Sequence, residues 1–309
     1  MKQNRIITPL LITLTGLLVA VGSFLFFRQP QLVNEADEST TPVHQPSFKK
    51  AEKPDTKKTE TSNGPQQTEK FCSRKSFENK SYIICQVNPK VNDISLFLDD
   101  PNGEPFKYFR NVEKFLRKKG QRLAFAVNGG MYHKDYSAVG LYIENGKIGH
   151  TISTKDGPGN FHMKPNGVFF IANKKAGVLD TEHYIKSAIK PELATQSGPM
   201  LVIDNKIHPR FIPNSPYLEY RNGVGVREDG TVFFVNSDER VNFDEFARFF
   251  RDDLKTPNAL FLDGSISSLY APELNRYDWW YALGPILAVT IADKAQNSFN
   301  NVNNREHSH

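Results

Sequence analysis

The chain has few cysteines, no clustered cations and one long uncharged stretch. Only Cys72 and Cys85 are present among 309 residues. A structural zinc site needs about four Cys or His ligands close together, and no such set lies near either cysteine. The net charge of +5 is spread along the chain, without the clustered Lys and Arg and the aromatic platform of a nucleic-acid binder. The sequence therefore predicts neither a cysteine-based metal site nor a nucleic-acid partner.

The uncharged stretch, residues 6–27, is long enough for a membrane helix. At about 1.5 Å per residue it roughly matches a hydrocarbon core about 30 Å thick. Lys2 and Arg5 precede it and acidic residues follow it, which favours a cytoplasmic N-terminus. A cleaved signal peptide ending near Ala20 and Gly22 is the alternative. Residues 1–28 are thus predicted to be a signal anchor that tethers an exported chain to the membrane.

Composition divides the remainder into a domain between two polar segments. Residues 29–70 are rich in Pro, Thr, Lys, Glu and Gln and cannot bury enough apolar surface to offset the entropy of ordering. We interpret them as a disordered linker, and residues 294–309 as a disordered tail. Residues 71–293 have the size of one large domain. In an exported chain, the isolated pair Cys72 and Cys85 indicates a disulfide.

Strand patterns dominate residues 71–293 and predict an α+β domain, with a strand-rich mixed sheet and a few helices. Helical periodicity covers residues 111–119 and 243–254, and Asn242 and Glu245 form a cap pair at the start of the second helix. Asn145 and Gly146 mark a hairpin turn. The unalternating apolar runs ALFL and ILAVTI predict central strands covered on both faces.

Four apolar runs in this domain end beside glycine and a hydrogen-bonding side chain. They are LAFAVNGGMY (123–132), GNFHMKPNGVFFI (159–171), ATQSGPMLVI (194–203) and LFLDGSISSLY (260–270). At such positions bare backbone N–H groups can reach a ligand. Asp263 is the most informative residue because a carboxylate there ends a buried strand. We predict one polar pocket built from strand ends.

The motifs NGGMY, QSGPMLV, RNGVGV and LFLDGS, in this order, resemble the phosphodiester glycosidase domain family, in its bacterial branch of exported, exopolysaccharide-related proteins. The resemblance covers nearly all of the folded domain. It implies an exported hydrolase, in the periplasm or at the cell surface, that cleaves the sugar C1–O bond of GlcNAc-type glycosyl phosphodiesters in envelope or secreted glycans. Relatives often have a run of glycines after the strand-end Asp, whereas this chain has Gly264 followed by Ser265 and Ile266.

The chemistry of this reaction suggests roles for particular residues. A glycosyl phosphate carries a good leaving group, so cations and N–H donors around phosphate matter more than a strong general acid. Asp263 is the first candidate for nucleophile or base, with turn formation as the alternative. Ordinary glycoside hydrolysis needs a second carboxylate, and spacing does not rank the candidates Asp135, Asp238 and Glu239.

Binding roles follow from donor and acceptor chemistry. Arg221 and Arg227 flank one strand and suit a phosphate clamp, unless they are ordinary surface cations. Amides match sugar hydroxyl and acetamido groups, which favours Asn128 and Gln196 as sugar-binding residues, with turn formation as their alternative. We predict Asp263, Arg221 and Asn128 as catalytic, and substrate contacts from Gly129, Gly130, Lys164, Asn166, Gln196, Ser197, Gly198, Arg227, Gly264 and Ser265. Tyr132 and Tyr270 are candidates for stacking on a sugar face, or for rim packing.

No cofactor is predicted, and a divalent cation held by Asp135, Asp238 and Asp263 stays open. The imidazoles fit no metal-binding spacing: His133, His150 and His162. Two other classes also stay open: a metal-assisted phosphodiesterase that cleaves the P–O bond, and a non-catalytic module that binds sugar phosphate or polysaccharide. The expected partners are a glycan or sugar-phosphate substrate and the membrane, and the sequence identifies no protein partner.

Overall fold

The computed structural model of the protein describes residues 70–263 and 266–293. The predicted anchor, almost all of the predicted linker, the predicted tail, Gly264 and Ser265 lie outside these residues. Within them, no helix is both long and apolar enough to span a bilayer. The described chain is strand-rich and is organised as three sheets with few helices.

The largest sheet, sheet 1, has seven strands and carries Asp263 on its fifth strand. In spatial order the strands are β1 (Cys72–Phe77), β2 (Lys80–Val87), β13 (Val232–Ser237), β12 (Asn222–Val226), β14 (Asn258–Asp263), β10 (Met200–Ile203) and β11 (Lys206–Ile207). The run ALFL forms most of β14, between β12 and β10, which confirms its prediction as a central strand.

Sheet 2 and sheet 3 have five strands each. Sheet 2 consists of β16 (Arg276–Tyr277), β15 (Leu269–Ala271), β4 (Gln121–Asn128), β17 (Ile286–Ala292) and β3 (Asp93–Phe97). Sheet 3 consists of β6 (Lys147–His150), β5 (Tyr142–Glu144), β9 (Leu193–Ser197), β7 (Gly167–Ala172) and β8 (Lys175–Asp180). The run ILAVTI lies in β17, between β4 and β3, which confirms its prediction as a central strand.

Every pairing among the named strands is antiparallel, so the predicted mixed sheet is wrong. Several sequence neighbours pair through tight turns, which only antiparallel strands can use. The predicted turn at Asn145 and Gly146 joins β5 to β6, and both residues have positive φ values, 52° and 74°. These are the values that a two-residue hairpin turn favours.

The helices are short and pack on the sheets: α1 (Phe109–Arg117), α2 (Thr181–Lys186) and α3 (Phe243–Arg248), which continues as a π-helix over Phe249–Asp253. Both predicted helices are confirmed, as is the cap: Asn242 accepts a hydrogen bond from the Glu245 backbone, and Glu245 accepts one from the Asn242 backbone. A Cβ at Gly225 would lie 2.7 Å from the Phe250 ring. The glycine therefore lets this helical segment press against β12.

The predicted disulfide joins Cys72 to Cys85, which are direct partners on β1 and β2. Both residues are buried. The double substitution of Cys72 and Cys85 by alanine is expected to lower the free energy of unfolding by about 3 kcal/mol, because the bond restricts the unfolded chain. Urea titrations should show this loss, and dithiothreitol should bring the natural protein to the same stability. Equal midpoints with and without the bond would contradict the prediction.

Candidate active site

Three polar residues form a row across neighbouring strands of sheet 1. Asn236 on β13 pairs with Asn222 on β12, and Asn222 pairs with Asp263 on β14. All three are buried, and Asp263 is 8% exposed. The register between β12 and β14 shifts between Asn222 and Gly223, and such bulges re-aim side chains beside functional sites. The fold thus places Asp263 next to Asn222, with Asn236 on the following strand, at the ends of three interior strands of sheet 1.

Asn128, at the end of β4 in sheet 2, joins this row through hydrogen bonds. Its Oδ1 accepts from the Asn222 side-chain amide and from the backbone N–H of Ser268, at 3.0 Å for the latter. The Asn222 Oδ1 in turn accepts from the Asp263 backbone N–H at 2.9 Å. These bonds fix which atom of each amide is the oxygen. We call Asn128, Asn222, Asn236 and Asp263 the polar cluster.

One donor of the polar cluster is unused within the described part of the chain. The Asn128 Nδ2 is buried and has no hydrogen-bond partner among residues 70–263 and 266–293. A buried amide without a partner costs about 1–3 kcal/mol, and such a group in a folded protein needs an explanation. A ligand oxygen would satisfy it.

Tyr132 lies within electrostatic reach of Asp263. Burial first, and then the negative charge of Asp263, raise the pKa of Tyr132 above its ordinary value. The Tyr132 hydroxyl donates to the carbonyl of Ala282 at 2.6 Å, and its ring stacks on Tyr136 with centroids 6.0 Å apart. The phenol therefore stays neutral and is held by its hydrogen bond to the Ala282 carbonyl.

Glycines close the contact between sheets 2 and 3 beside Asn128. A Cβ at Gly129 would lie 3.0 Å from the Leu287 backbone nitrogen, and one at Gly130 would lie 2.8 Å from the Thr195 hydroxyl. Gly130 also has a φ of 147°, a conformation that glycine adopts most readily. The Thr195 hydroxyl donates to the Gly129 carbonyl at 2.7 Å. Both glycines thus have a packing role beside their predicted contact with substrate.

Several predicted substrate contacts are occupied inside the protein. The Gln196 side chain accepts from the backbone N–H groups of Leu141 and Ser153, and donates to the Ser153 carbonyl and the Thr181 hydroxyl. Asn166 donates to the Phe161 carbonyl and accepts from Thr181. Gln196 is therefore better explained as an internal support than as a sugar-binding residue.

Ser197 and Gly198 likewise hold sheet 3 against its neighbours. The Ser197 hydroxyl donates to the Leu262 carbonyl at 2.7 Å, one residue before Asp263. A Cβ at Gly198 would lie 2.6 Å from the Asn166 Cβ. The Ser197 bond links the end of β9 to the strand that carries Asp263, and Gly198 lets the chain pack closely against Asn166.

Substitution of Gln196 by alanine should destabilise the fold rather than only weaken substrate binding. Two backbone N–H groups would lose their acceptor, and we expect a loss of about 2–3 kcal/mol in the free energy of unfolding. Urea denaturation measures it. The exposed Gln86 on β2 is the matched control, because its alanine variant should stay within about 0.5 kcal/mol of the natural protein. Equal stability of both variants would contradict the internal role.

Arg221 immediately precedes Asn222 and is 4% exposed. Its Nε donates to the Val241 carbonyl at 2.8 Å, and its guanidinium lies 3.7 Å from the ring centre of Phe243. Burial lowers the pKa of Arg221 from 12.5 to about 10, so the group is cationic at neutral pH. Among the described residues it contacts carbonyls and rings and forms no ion pair with a carboxylate.

A cleft of about 550 Å³ opens beside Arg221. Its lining combines two cations, aromatic rings, polar side chains and one carboxylate, among them Asn160, Arg210, Phe211, Tyr217, Glu219, Arg221 and Phe243. Glu219 and Glu245 act on Arg221 electrostatically but form no ion pair with it, and an arginine in this state at the wall of an open cleft is suited to bind an anion from solvent.

The structure separates Arg227 and Lys164 from this arrangement. Arg227 follows the far end of β12 and donates to the Asp229 carboxylate at 2.7 Å. Six residues of strand span about 20 Å, so one phosphate does not reach both Arg221 and Arg227, and the predicted clamp does not form. Lys164 pairs with Asp156 at 2.6 Å and donates to the Thr154 carbonyl.

The candidates for a second carboxylate are each engaged elsewhere. Asp238 pairs with Arg74 and Arg276, and Glu239 accepts from the Ser81 backbone. Asp135 is exposed and accepts from Ser137, whose hydrogen bonds lower the pKa of Asp135.

The described residues contain no group of three His, Cys, Asp or Glu side chains arranged to hold a metal. Asp135, Asp238 and Asp263 therefore do not converge there on one ion. The predicted contacts Gly264 and Ser265 lie outside the described residues.

Sequence reasoning missed Asn222, Asn236 and Ser268. A usable signal existed, because RNGVGV and TVFFVNS each place an asparagine at the edge of an apolar run. The cross-strand pairing that joins them to Asp263 becomes visible only in the fold.

Comparisons with known proteins identify a family for this chain. A family model described as phosphodiester glycosidase matches residues 121–289, which is more than half of the chain and includes the whole polar cluster. A curated Escherichia coli K-12 protein, "Uncharacterized protein YigE", is 35% identical over 184 residues, which cover 60% of this chain and 72% of that protein.

Solved structures are similar at lower identity. The catalytic domain of zebrafish N-acetylglucosamine-1-phosphodiester alpha-N-acetylglucosaminidase, auto-inhibited by its pro-peptide, is 17% identical with a TM-score of 0.48, covering 71% of this chain and 81% of that one. A hypothetical protein from Synechocystis is 12% identical with a TM-score of 0.45, covering 71% of this chain and 61% of that one.

Proposed function

Since this chain belongs to the phosphodiester glycosidase family, we propose that it is an exported hydrolase that cleaves the sugar C1–O bond of GlcNAc-type glycosyl phosphodiesters in envelope or secreted glycans. The observation that carries the proposal is the polar cluster, which lies within the matched residues and links the backbone of the buried Asp263, through Asn222, to the amide of Asn128. Family membership supports the reaction class, and the cluster supports Asp263 as the residue that carries it.

In this proposal the sugar lies against Asn128 and Asp263. The unused Asn128 Nδ2 donates to a sugar oxygen. Asp263 either removes a proton from the water that attacks C1, as a base, or attacks C1 itself, as a nucleophile. The water oxygen ends on C1, the bridging oxygen leaves with the phosphate, and one proton of water is released. Asn222 is a positioning residue, because its hydrogen bonds connect Asp263 to Asn128.

The phosphate is proposed to lie toward the cleft of Arg221. The guanidinium of this residue lies 5.6 Å from the ring centre of Phe261, two residues before Asp263 on β14, so a cation lies beside the strand that carries Asp263. A fixed positive charge stabilises the phosphate as its bridging oxygen gains charge in the transition state. The aromatic and cationic lining of the cleft is then available to the group beyond the phosphate.

The disulfide supports export, because such bonds form and persist in oxidising compartments. The bond between Cys72 and Cys85 lies in the first hairpin of the described chain. The proposed membrane tether consists of residues 1–28, which lie outside the described residues.

The test is hydrolysis of a GlcNAc-1-phosphodiester in water enriched in heavy oxygen, with the Asp263→Asn variant as control. Label in the free sugar, lost in the variant, is the expected result and establishes C1–O cleavage dependent on Asp263. Label in the phosphate would instead assign the protein to P–O cleavage. No turnover over a panel of such substrates would favour a binding module.

A further inference from the structure

An exposed aromatic loop lies between β16 and β17. Four of the five residues from Tyr277 to Tyr281 are aromatic, and each is between 50% and 74% exposed. We call residues 277–281 the aromatic loop. Scattered exposed apolar residues need no explanation, but a contiguous group of large aromatic rings marks a binding surface.

The aromatic loop is held firmly at both ends. The Asp278 backbone donates to the Leu269 carbonyl at 3.0 Å, and its carboxylate accepts from the Leu269 backbone at 2.9 Å and from Arg276. At the other end, the buried Leu283 donates to the Lys107 carbonyl. The rings of Trp279 and Trp280 stack with centroids 4.1 Å apart. The loop thus presents an ordered aromatic face to solvent.

Both ends of the aromatic loop contact residues that hold the polar cluster. Leu269 follows Ser268, whose backbone N–H donates to Asn128. Ala282, next to the loop, accepts from the hydroxyl of Tyr132, the residue within electrostatic reach of Asp263. The aromatic loop is therefore connected, through neighbouring residues of sheet 2, to the strand that carries Asn128.

We propose that the aromatic loop binds the glycan chain attached to the sugar that is cleaved, so that the substrate is an oligosaccharide or polysaccharide carrying a phosphodiester rather than a single sugar. The inference rests on the proposed function. Pyranoses with equatorial hydroxyls have an apolar face of axial C–H groups, and flat exposed rings are suited to cover it. The occupant is accordingly a neutral or N-acetylated β-linked glucose-type chain.

Exposed tryptophans can also bind a membrane surface, but the aromatic loop lacks the basic residues that such binding needs. Attraction to anionic lipid requires Lys or Arg beside the apolar residues. Residues 277–284 contain neither, their one charged side chain is acidic, and the adjacent Arg276 is paired with Asp238 and Asp278. The connection to the strand that carries Asn128 gives a further reason to favour a glycan.

The test uses a property of the composition. Trp279 and Trp280 are the only tryptophans of the chain, so intrinsic tryptophan fluorescence of the whole protein reports on the aromatic loop alone. We expect the β-1,4-linked GlcNAc hexamer or cellohexaose to change the emission in a saturable way, at about 10-fold or more lower concentration than monomeric GlcNAc. No saturable change with either hexamer would overturn the proposal. A change only with phosphatidylglycerol vesicles would replace the glycan with a membrane.

A variant separates this inference from the proposed function. In Trp279→Ala/Trp280→Ala, kcat/KM for a GlcNAc-hexamer 1-phosphodiester should fall about 10-fold or more, and for a GlcNAc 1-phosphodiester less than about 2-fold. Equal losses on both substrates would show a structural role and overturn the inference. Ile148→Ala, at an exposed apolar residue on β6, is the control and should change neither value. If the natural protein cleaves neither substrate, the proposed function fails and the fluorescence titration alone decides the inference.

Discussion

Substitution of Asp263 by asparagine is expected to lower kcat/KM for a glycosyl phosphodiester by about 10³-fold or more while the protein stays folded. Asparagine keeps the size of the side chain and removes the negative charge that a base or nucleophile needs. The backbone N–H of Asp263, which donates to Asn222, is unchanged by the substitution. Turnover of a GlcNAc-1-phosphodiester measures the first expectation, and urea denaturation measures the second.

The matched control is Asp229→Asn. Asp229 also precedes a glycine, but it lies in the turn between β12 and β13, at the far end of these strands, where it pairs with Arg227. Its substitution removes an exposed ion pair, worth about 0–1 kcal/mol, and should leave turnover within about 2-fold. Comparable turnover of both variants would contradict a catalytic role for Asp263 and favour its alternative role in the turn.

Much of the fold could be predicted because its signals are local. The cap pair of Asn242 and Glu245, the helical periodicity of residues 243–254 and the turn at Asn145 and Gly146 each need only a few neighbouring residues, and the structure confirms all three. The direction of strand pairing is not local. β10 pairs with β14 across more than fifty residues of intervening chain, and no periodicity within either strand reveals that relation. The prediction of a mixed sheet was therefore wrong, because strand direction depends on residues far apart in the sequence.

The candidate site shows the same division. Asn128 and Asp263 were predicted because glycine next to a polar residue at the end of an apolar run is a local pattern. No local pattern shows whether Asn222 or Gln196 belongs to the site, since a buried amide can bind either substrate or backbone. The fold decides: Gln196 is fully used by Leu141, Ser153 and Thr181, whereas Asn222 links Asn128 to Asp263.

The two arginines that flank β12 offer a sharper test of where the phosphate binds. Arg221→Lys is expected to lower kcat/KM for a glycosyl phosphodiester by about 10²-fold, equivalent to about 2.7 kcal/mol of transition-state stabilisation. Lysine keeps the charge but loses the planar fork, the Nε bond to the Val241 carbonyl and the stacking on Phe243, so its ammonium group cannot hold the same position. The inhibition constant of the phosphomonoester product should rise as well, because the same cation binds it.

Arg227→Lys is the control, since it makes the same exchange on the same strand. Arg227 is paired with Asp229 and lies about 20 Å from Arg221 along the strand. Its substitution should change neither turnover nor product inhibition by more than about 2-fold. Urea denaturation of both variants separates loss of fold from loss of binding. A large effect of Arg227→Lys, or none of Arg221→Lys, would move the phosphate away from the cleft beside β12. Because Arg221 alone is buried there without an ion-pair partner among the described residues, we expect the asymmetry to be strong.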